Sequence, residues 1–549
     1  MPHTPETRRD GGQHAASGNP HAPDAKVIIV GAGPAGLLSA CELLRRGISV
    51  RLIDRAAQPS PYSKALLVWP RTRDLFEDLG LVEDVELAGP QINAFSYFTG
   101  QQPLATYTFL TDAQGCMGPF SVPQYEIERI LSDCLHRLGG HIEREVRLLG
   151  FDGLDFSGDI TATDGVTTIL EHKDGRIERA RAAFVIGADG AGSTVRGQMG
   201  VGFVGSTFET AFGLVDAPIE GSLPSDQVLY FQSPSGGLAV VPMPKGVFRF
   251  FTSLPTNTAG FDLATMQRIV DERGPRGVRL LEPVWQSTFR VHGRRATEFQ
   301  LGRVFLVGDA AHVNSPAGGQ GMNTGLHDAH NLAWKLAAVL NGETRPDLLH
   351  SYDEERVAAA ARVVRDTEIQ TRAWMVKHPA QITARNAAFR LMERTGTAAK
   401  YYAPVMAGRR LAYQPLRETQ HPADRTTTCR LRSRLPGRTT VGGVFPRQLA
   451  RDLGITGPDI DPAAWHLAVT RGFRARHARS LTELIAGRRL RLVDLPGTRQ
   501  TSHLTGCADN GYHLIRPDGH VAAHGHTADL SRLRAELDAG LPHPLTGTV

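Results

Sequence analysis

Three glycines, Gly31, Gly33 and Gly36, stand in the spacing G-x-G-x-x-G between an apolar run, Val27-Ile28-Ile29-Val30, and a stretch with Leu37, Ala40, Cys41 and Leu44 at three- and four-residue spacing. The run predicts a buried parallel strand, and the stretch predicts a helix stopped by Gly47. Chemistry follows from the loop between them, which also contains Pro34 and Ala35. The first glycine permits a tight turn, the second lets a pyrophosphate approach the backbone, and the third lets helix and strand pack closely. The helix start then faces the phosphates with unpaired N–H groups. Asp54, 23 residues beyond Gly31, ends a second predicted strand, Ser49 to Ile53. A carboxylate there accepts from a ribose diol and repels a 2′-phosphate, which favours FAD or NAD over NADP at this site.

Two further strand ends choose between these. Gly187-Ala188-Asp189-Gly190 follows Phe184-Val185-Ile186, and Gly308-Asp309 follows Arg303 to Val307, 255 residues beyond Asp54. A ribityl chain needs a fixed acceptor on the far side of the pyrophosphate, whereas NAD has no use for one, so the set points to FAD. With these motifs the sequence resembles the class A flavoprotein monooxygenases of the p-hydroxybenzoate hydroxylase fold over about residues 25 to 380. The resemblance is carried by Gly302-Arg303-Val304-Phe305-Leu306-Val307-Gly308-Asp309-Ala310-Ala311-His312, by Pro316-Ala317-Gly318-Gly319-Gln320-Gly321-Met322-Asn323, by Val122-Pro123-Gln124 to Leu131 and by Lys64 to Leu75. It implies that Asp309 binds the ribityl chain, that Gln124 lies near the flavin chain, that Arg55 and Val146 flank the adenosine, and that Asp189 links the FAD and nicotinamide sites. Lys64 stands where the family usually has Arg, keeping the charge and losing the bidentate fork.

The loop with Pro316, Gly319, Gly321, Met322 and Asn323 would set a helix start against the flavin edge, stabilising negative charge on the reduced ring, with Pro316 as a rigid wall lacking an N–H. The resemblance implies that NADPH or NADH reduces FAD, that O₂ adds to give the C4a-hydroperoxide, and that an oxygen atom passes to a phenolic or polycyclic, polyketide-like aromatic ring. Baeyer–Villiger insertion or epoxidation on the same fold, and a flavin-binding regulatory protein without turnover, are the alternatives. Alternating apolar segments between about 205 and 292 predict an antiparallel sheet over the flavin. Phe212, Tyr230, Phe231, Met243 and Phe250, with Trp69 and Leu67, are the candidate cavity residues. No catalytic residue is assigned: Tyr230 and His292 are the bases available for a phenol proton, and His312 reads as packing.

These elements imply an α/β fold. An FAD-binding, Rossmann-like domain of glutathione-reductase type (25–395) is interleaved with an α+β antiparallel-sheet substrate domain (about 85–115 and 205–292). A connector (396–434) and a C-terminal unit (435–549) follow, and residues 1–24 read as a disordered tail. The C-terminal unit resembles the thioredoxin-like appendage of phenol and aromatic polyketide hydroxylases through Leu514-Ile515-Arg516-Pro517-Asp518-Gly519-His520-Val521-Ala522. It implies a packing or homodimer role. The 549 residues, 41% hydrophobic and 21% charged with a net charge of +5, have globular composition, and no basic tract interleaved with aromatics suggests nucleic acid. Five cysteines without a CxxC or a metal-like spacing predict no metal site and a reducing cytoplasm, and no apolar run is long enough for a membrane span.

Overall fold

The computed structural model describes residues 25–109, 111–112, 115–116, 118–254, 260–413, 439–507, 510–525 and 530–541. The expected tail (1–24) and much of the expected connector lie outside the described residues. The first sheet has six strands in the order Gln300–Leu301, Val304–Leu306, Phe184–Gly187, Val27–Val30, Val50–Asp54 and Ile142–Arg144. All its pairs are parallel except the first. Register aligns Val30 with Gly187 and Gly187 with Leu306, so the three strand ends singled out by sequence lie side by side. Ligands of open parallel sheets bind at that carboxyl edge.

Val146–Asp152, Val166–His172 and Ile177–Ala182 form a small antiparallel sheet on the way to the third of these strands. The second large sheet has nine strands. Its path runs His312–Val313, Trp285–Ala296, Phe203–Glu220, Val247–Ser253, Gly236–Pro242, Gln227–Ser233, Ala94–Thr99 and Gln102–Thr108, with Arg279–Leu280 pairing off the path. Strand His312–Val313 pairs with Arg294 and Arg295, a few residues beyond Gly308, so the two sheets are joined where the cofactor turn lies.

Met322, Leu326, Ala329, Ala333, Leu336 and Leu340 recur at spacings of four and three, which predicts a one-sided helix, but helix Gly321–Leu340 is buried on more than one side. Leu326, Ala329, Ala333 and Leu336 are buried as expected, but His330, Asn331, Trp334 and Lys335 are buried too. The second face packs on the C-terminal unit, where Trp334 meets Trp465 edge to face at 5.9 Å. That unit follows the order Trp465–Val469, Arg471–Ile485, Leu490–Asp494, Arg499–Thr505, Tyr512–Ile515, Val521–Gly525 and Ser531–Gly540. Its second strand lies parallel to the first, and its third and fourth are antiparallel neighbours on the other side. The first part of the expected connector is also structured: Ala398–Tyr402 and Ala403–Met406 are helical turns.

A buried ionic cluster ties the units together. Glu355 accepts from Lys335 Nζ at 2.8 Å and from Arg516 at 2.5 Å, and Arg516 also pairs with Asp518. The Asp518 carboxylate accepts from Trp334 Nε1 at 3.2 Å, and its backbone carbonyl from Arg71 at 2.5 Å. Burial alone would raise the Glu355 pKa, but Arg516 and Lys335 hold it down at about 2. Burial also pushes His520 of the same cluster down to about 3.

Both groups have folded pKa values below their unfolded ones, about 4.3 for Glu and 6.5 for His. Their stability is therefore complete above the unfolded values and is lost as pH falls from about 6.5 towards 3. Denaturant titrations across that range should show declining stability, and His520→Asn should flatten the upper part of the decline. Glu355→Gln leaves two buried cations short of a counter-charge and should cost about 3 kcal/mol in the same titration at neutral pH. Adding Lys335→Met should recover part of it.

Candidate cofactor and substrate site

The carboxyl edge of the first sheet opens into a cavity of about 690 Å³ beneath the second sheet. Gly33, Pro34, Ala35, Lys64, Gln124, Gly308, Asp309, Pro316, Gly319, Gly321 and Met322 all lie on its wall. Gly31, Gly36, Asp54, Arg55, Val146, Asp189 and Asn323 do not.

The fingerprint glycines separate by role. A Cβ on Gly31, whose φ is +106°, would sit 2.4 Å from the Ala188 carbonyl oxygen, and one on Gly36 would sit 1.9 Å from that of Gly31. The protein itself excludes side chains at both. At Gly33 a Cβ would meet nothing within 4 Å, and the space in front of it is the cavity. The protein itself leaves room for a side chain there, and the fingerprint spacing assigns that room to an approaching pyrophosphate.

Asp54 braces the loop, its carboxylate accepting from Ala32 N and Ala56 N at 2.7 Å each, with Arg55 exposed beside it. Val146 is buried in the main core. Asp189 caps the helix Thr194–Met199, accepting from the Ser193 hydroxyl at 2.5 Å and from the backbone N–H of Thr194 and Val195 at 2.7 and 3.1 Å. Asn323 works as a clamp rather than as cavity wall. Its amide accepts from Trp69 N and donates to the carbonyls of Leu67 and Gly319, which fixes the glycine loop against the Lys64 segment.

Asp309 lies deep in the fold, yet its side chain is open because it faces the cavity. Burial raises its pKa, against smaller opposing pulls from His312 and Lys64. A deep carboxylate opening on a cavity is a fixed acceptor for hydroxyl groups, and with the Gly33 cradle it fits the ribityl chain and pyrophosphate of FAD.

Sequence reading missed Asp328, which pins this turn. Its Oδ2 accepts from Gly308 N at 3.0 Å and from His312 Nε2 at 2.7 Å, and its Oδ1 accepts from Arg356 at 2.7 Å. Arg249 was missed as well. It holds Asp216 with two bonds of 2.7 Å and donates to the carbonyls of Ser63 and Lys64, which anchors that segment to the sheet.

The substrate-cavity expectations need correction. Tyr230 faces the cavity, but Phe231 points to the other side of the sheet, stacked on Phe98. Phe250 is likewise in the core between sheet and helix, while its neighbour Phe251 lines the cavity. Strand side chains alternate, so two adjacent aromatics cannot share a face. Phe212 lies behind Phe251, stacked at 5.2 Å, and Met243 is buried off the wall. Trp69 also sits behind the wall, donating through Nε1 to the Gly318 carbonyl at 2.9 Å, while Leu67 is on it.

The aromatic wall consists of Phe95, Tyr97, Tyr107, Tyr230, Phe251, Phe289, Trp374, Phe389 and Tyr402. Phe389, Trp374 and Tyr402 come from helices and turns after residue 350, where no sequence signal marked them. Burial raises the pKa of Tyr97, Tyr107, Tyr230 and Tyr402, so all four are neutral, and Tyr107 already donates to the Phe389 carbonyl at 3.2 Å. That removes Tyr230 as a base. His292 bonds Thr207 at 2.9 Å and is not on the wall.

Away from the cavity, Cys507, His513 and His524 come together with one donor atom each within 4.8 Å of the others. Strand pairing, which sets His513 opposite His524, gathers them although their spacing along the chain has no metal-like pattern. His524 Nδ1 donates to the Tyr512 carbonyl at 2.8 Å, so this group is also held by the protein's own hydrogen bonds. Among the described residues no helix is long and apolar enough to cross a membrane.

The comparisons agree with this geometry. A flavin-dependent monooxygenase of Mycobacteroides abscessus is 36% identical over 62% of this chain and 72% of its own length. The 6-methylpretetramide 4-monooxygenase of Streptomyces rimosus is 38% identical over 64% of this chain, which spans 62% of that relative. The structure of aklavinone-11 hydroxylase, in complex with FAD and aklavinone, superposes with a TM-score of 0.74 at 25% identity, covering 95% of this chain and 99% of that one. Residues 24–367 match the family model described as FAD binding domain, and the chain belongs to that family, as a flavin-dependent enzyme of the aromatic hydroxylase class.

Proposed function

We propose that the protein is an NAD(P)H- and O₂-dependent monooxygenase that hydroxylates a flat, polycyclic phenolic substrate. The observation that carries this reading is the continuity of one cavity. Asp309, the Gly33 cradle and the 316–322 loop occupy one part of it, and the aromatic wall occupies the rest. The cavity of about 690 Å³ is shared between cofactor and substrate, and the extent of the aromatic wall beyond the cofactor part is what favours a flat, polycyclic ring system. Bound FAD supplies hydride acceptance from the nicotinamide and activation of O₂.

The chain's own residues do the rest. Asp309 accepts from ribityl hydroxyls, and the helix start at Gly321 offers unpaired N–H groups to negative charge on the ring. Pro316 adds a wall without a donor. The aromatic face excludes water from the reacting atoms, and the hydroxyls of Tyr97, Tyr230 and Tyr402 are the donors for substrate oxygens, Tyr107 being bonded to the Phe389 carbonyl. Lys64 sits at the cavity's phosphate side as a point charge. The C-terminal unit is read as thioredoxin-like from its βαβαββα order, serving packing or homodimer contacts, since it has no CxxC pair.

Purified protein should be yellow, with FAD near one per chain. Gly33→Val should abolish FAD binding, measured by flavin fluorescence, while leaving the thermal stability of the flavin-free protein unchanged. Gly36→Val should lower that stability. Asp309→Ala should reduce FAD affinity by at least about tenfold, the loss of a charged acceptor. Incubation with tri- and tetracyclic phenols, NAD(P)H and labelled O₂ should give product carrying one labelled oxygen atom. A colourless chain that takes up no FAD overturns the cofactor assignment, and H₂O₂ formation without labelled product overturns the hydroxylation.

A further inference from the structure

Three cations line the cavity: Lys64, Arg249 and Arg385. Arg249 is neutralised by Asp216, with both N–H bonds at 2.7 Å. Lys64 belongs to the cofactor part, where its charge acts on Asp309 and Glu128. Arg385 differs from both. It lies on helix Pro379–Arg394, half-buried, and its guanidinium meets only neutral acceptors. The Asn386 side-chain oxygen accepts from Nε at 3.2 Å and Nη2 at 3.0 Å, and the Ala373 carbonyl accepts from Nη1 at 3.3 Å. Three of its five N–H groups are used, which leaves one on each terminal nitrogen. Among the described residues no carboxylate pairs with it, and burial alone lowers its pKa without removing its charge.

The position follows from the helix beside it. Gln370 reaches Gly318 in the glycine loop, where a Cβ would lie 3.1 Å from its Oε1. Ala373 and Trp374 are one helical turn further along, and Arg385 bonds beyond them. Asn386, which orients the guanidinium, is held in turn by Thr99 at 3.2 Å, at the end of strand Ala94–Thr99. The acceptors expected at an ordinary polar rim are replaced here by an oriented, uncompensated cation beside an aromatic wall.

We propose that Arg385 forms an anion subsite at the Thr99 side of the cavity, past the helical turn that separates it from Gln370 and the glycine loop, and that the preferred substrates are aromatic acids whose carboxylate docks there while the distal ring lies towards the flavin. This rests on the hydroxylase reading and narrows it, because the carboxylate fixes which ring is presented. A fork with two donors left matches a carboxylate, and a half-buried pair of this kind is worth more than an exposed one.

The test compares two probes that differ at one group, 1,8-dihydroxyanthraquinone-3-carboxylate and its 3-methyl counterpart, by equilibrium dialysis against the FAD-loaded full chain. The carboxylate should bind about tenfold or more tightly. Arg385→Gln should bring the ratio near one with FAD content unchanged, and Arg385→Lys should keep an intermediate preference. Arg390→Gln, on the exposed side of the same helix, should leave the ratio as in the wild type. An unchanged ratio in Arg385→Gln, no preference in the wild type, or no binding of either probe overturns the subsite. Failure of the hydroxylase reading is distinguished by its own readout, because it would appear as missing flavin or missing labelled product while the binding ratio is still measured.

Discussion

The rest of the molecule depends on the parallel register that sets Val30, Gly187 and Leu306 side by side. Each strand ends in a turn that leaves the sheet. Two of these turns need backbone that only glycine adopts without strain, at Gly31 and Gly308, with φ of +106° and +62°. Segments separated by more than a hundred residues thus face one space. The turns are held by carboxylates rather than by packing. Asp54 collects the N–H groups of Ala32 and Ala56, Asp328 collects that of Gly308, and Asp189 collects those of Thr194 and Val195. Charge-assisted bonds of this kind fix a backbone more firmly than neutral ones. They leave Asp309, alone of the four, turned towards the cavity.

Asp328 also links the cofactor turn to the C-terminal unit. Through Arg356 it reaches the Tyr413 hydroxyl at 2.9 Å, and Arg516 lies over the same Tyr413 ring at 5.4 Å. Arg516 in turn pairs with Glu355, next to Arg356 in the helix. Buried ion pairs of this sort pay heavily in desolvation and return little net stability, so their effect is geometric: few alternative packings satisfy every charge. Helix Gly321–Leu340 is the shared element, with the glycine loop at its start and the C-terminal unit against its outer face. The appendage therefore bears on the position of the loop although it contributes nothing to the cavity wall.

What was legible in the sequence was whatever a local pattern encodes. The strand–turn–helix at Gly31 to Gly36 and the Gly308-Asp309 strand end state their geometry in consecutive residues. Asp328, Arg249 and the cavity helices do not, because their roles depend on partners that tertiary packing supplies. The two-sided burial of Gly321–Leu340 was hidden for the same reason: Trp334 is apolar enough for the C-terminal core, yet Asn331 and Lys335 read as solvent-facing until Glu355 neutralises the lysine. The error over Phe231 and Phe250 was one of parity. The sheet was placed correctly, but nothing in Tyr230-Phe231 or Phe250-Phe251 says which aromatic of each pair turns inward. Cys507, His513 and His524 escaped notice because cross-strand pairing, not spacing along the chain, gathers them.

The protonation states of the wall limit what the cavity can do to a phenol. Four tyrosines with raised pKa values stay neutral and take no proton at neutral pH. Among the described residues three of them make no donor bond to the protein that would keep them from a ligand, unlike Tyr107, which bonds the Phe389 carbonyl. A donor set can hold an oxyanion without generating one, and the burial that keeps these tyrosines neutral acts on a bound phenol in the same direction. Arg385 works in the opposite direction, since a cation at one end favours an anionic ligand over its neutral acid. The wall therefore orients a ring by shape and charge, and no tyrosine on it supplies a base. A wall made this way accepts different ring systems provided they present an acidic oxygen to the donors, with their shape judged by the aromatic faces on either side.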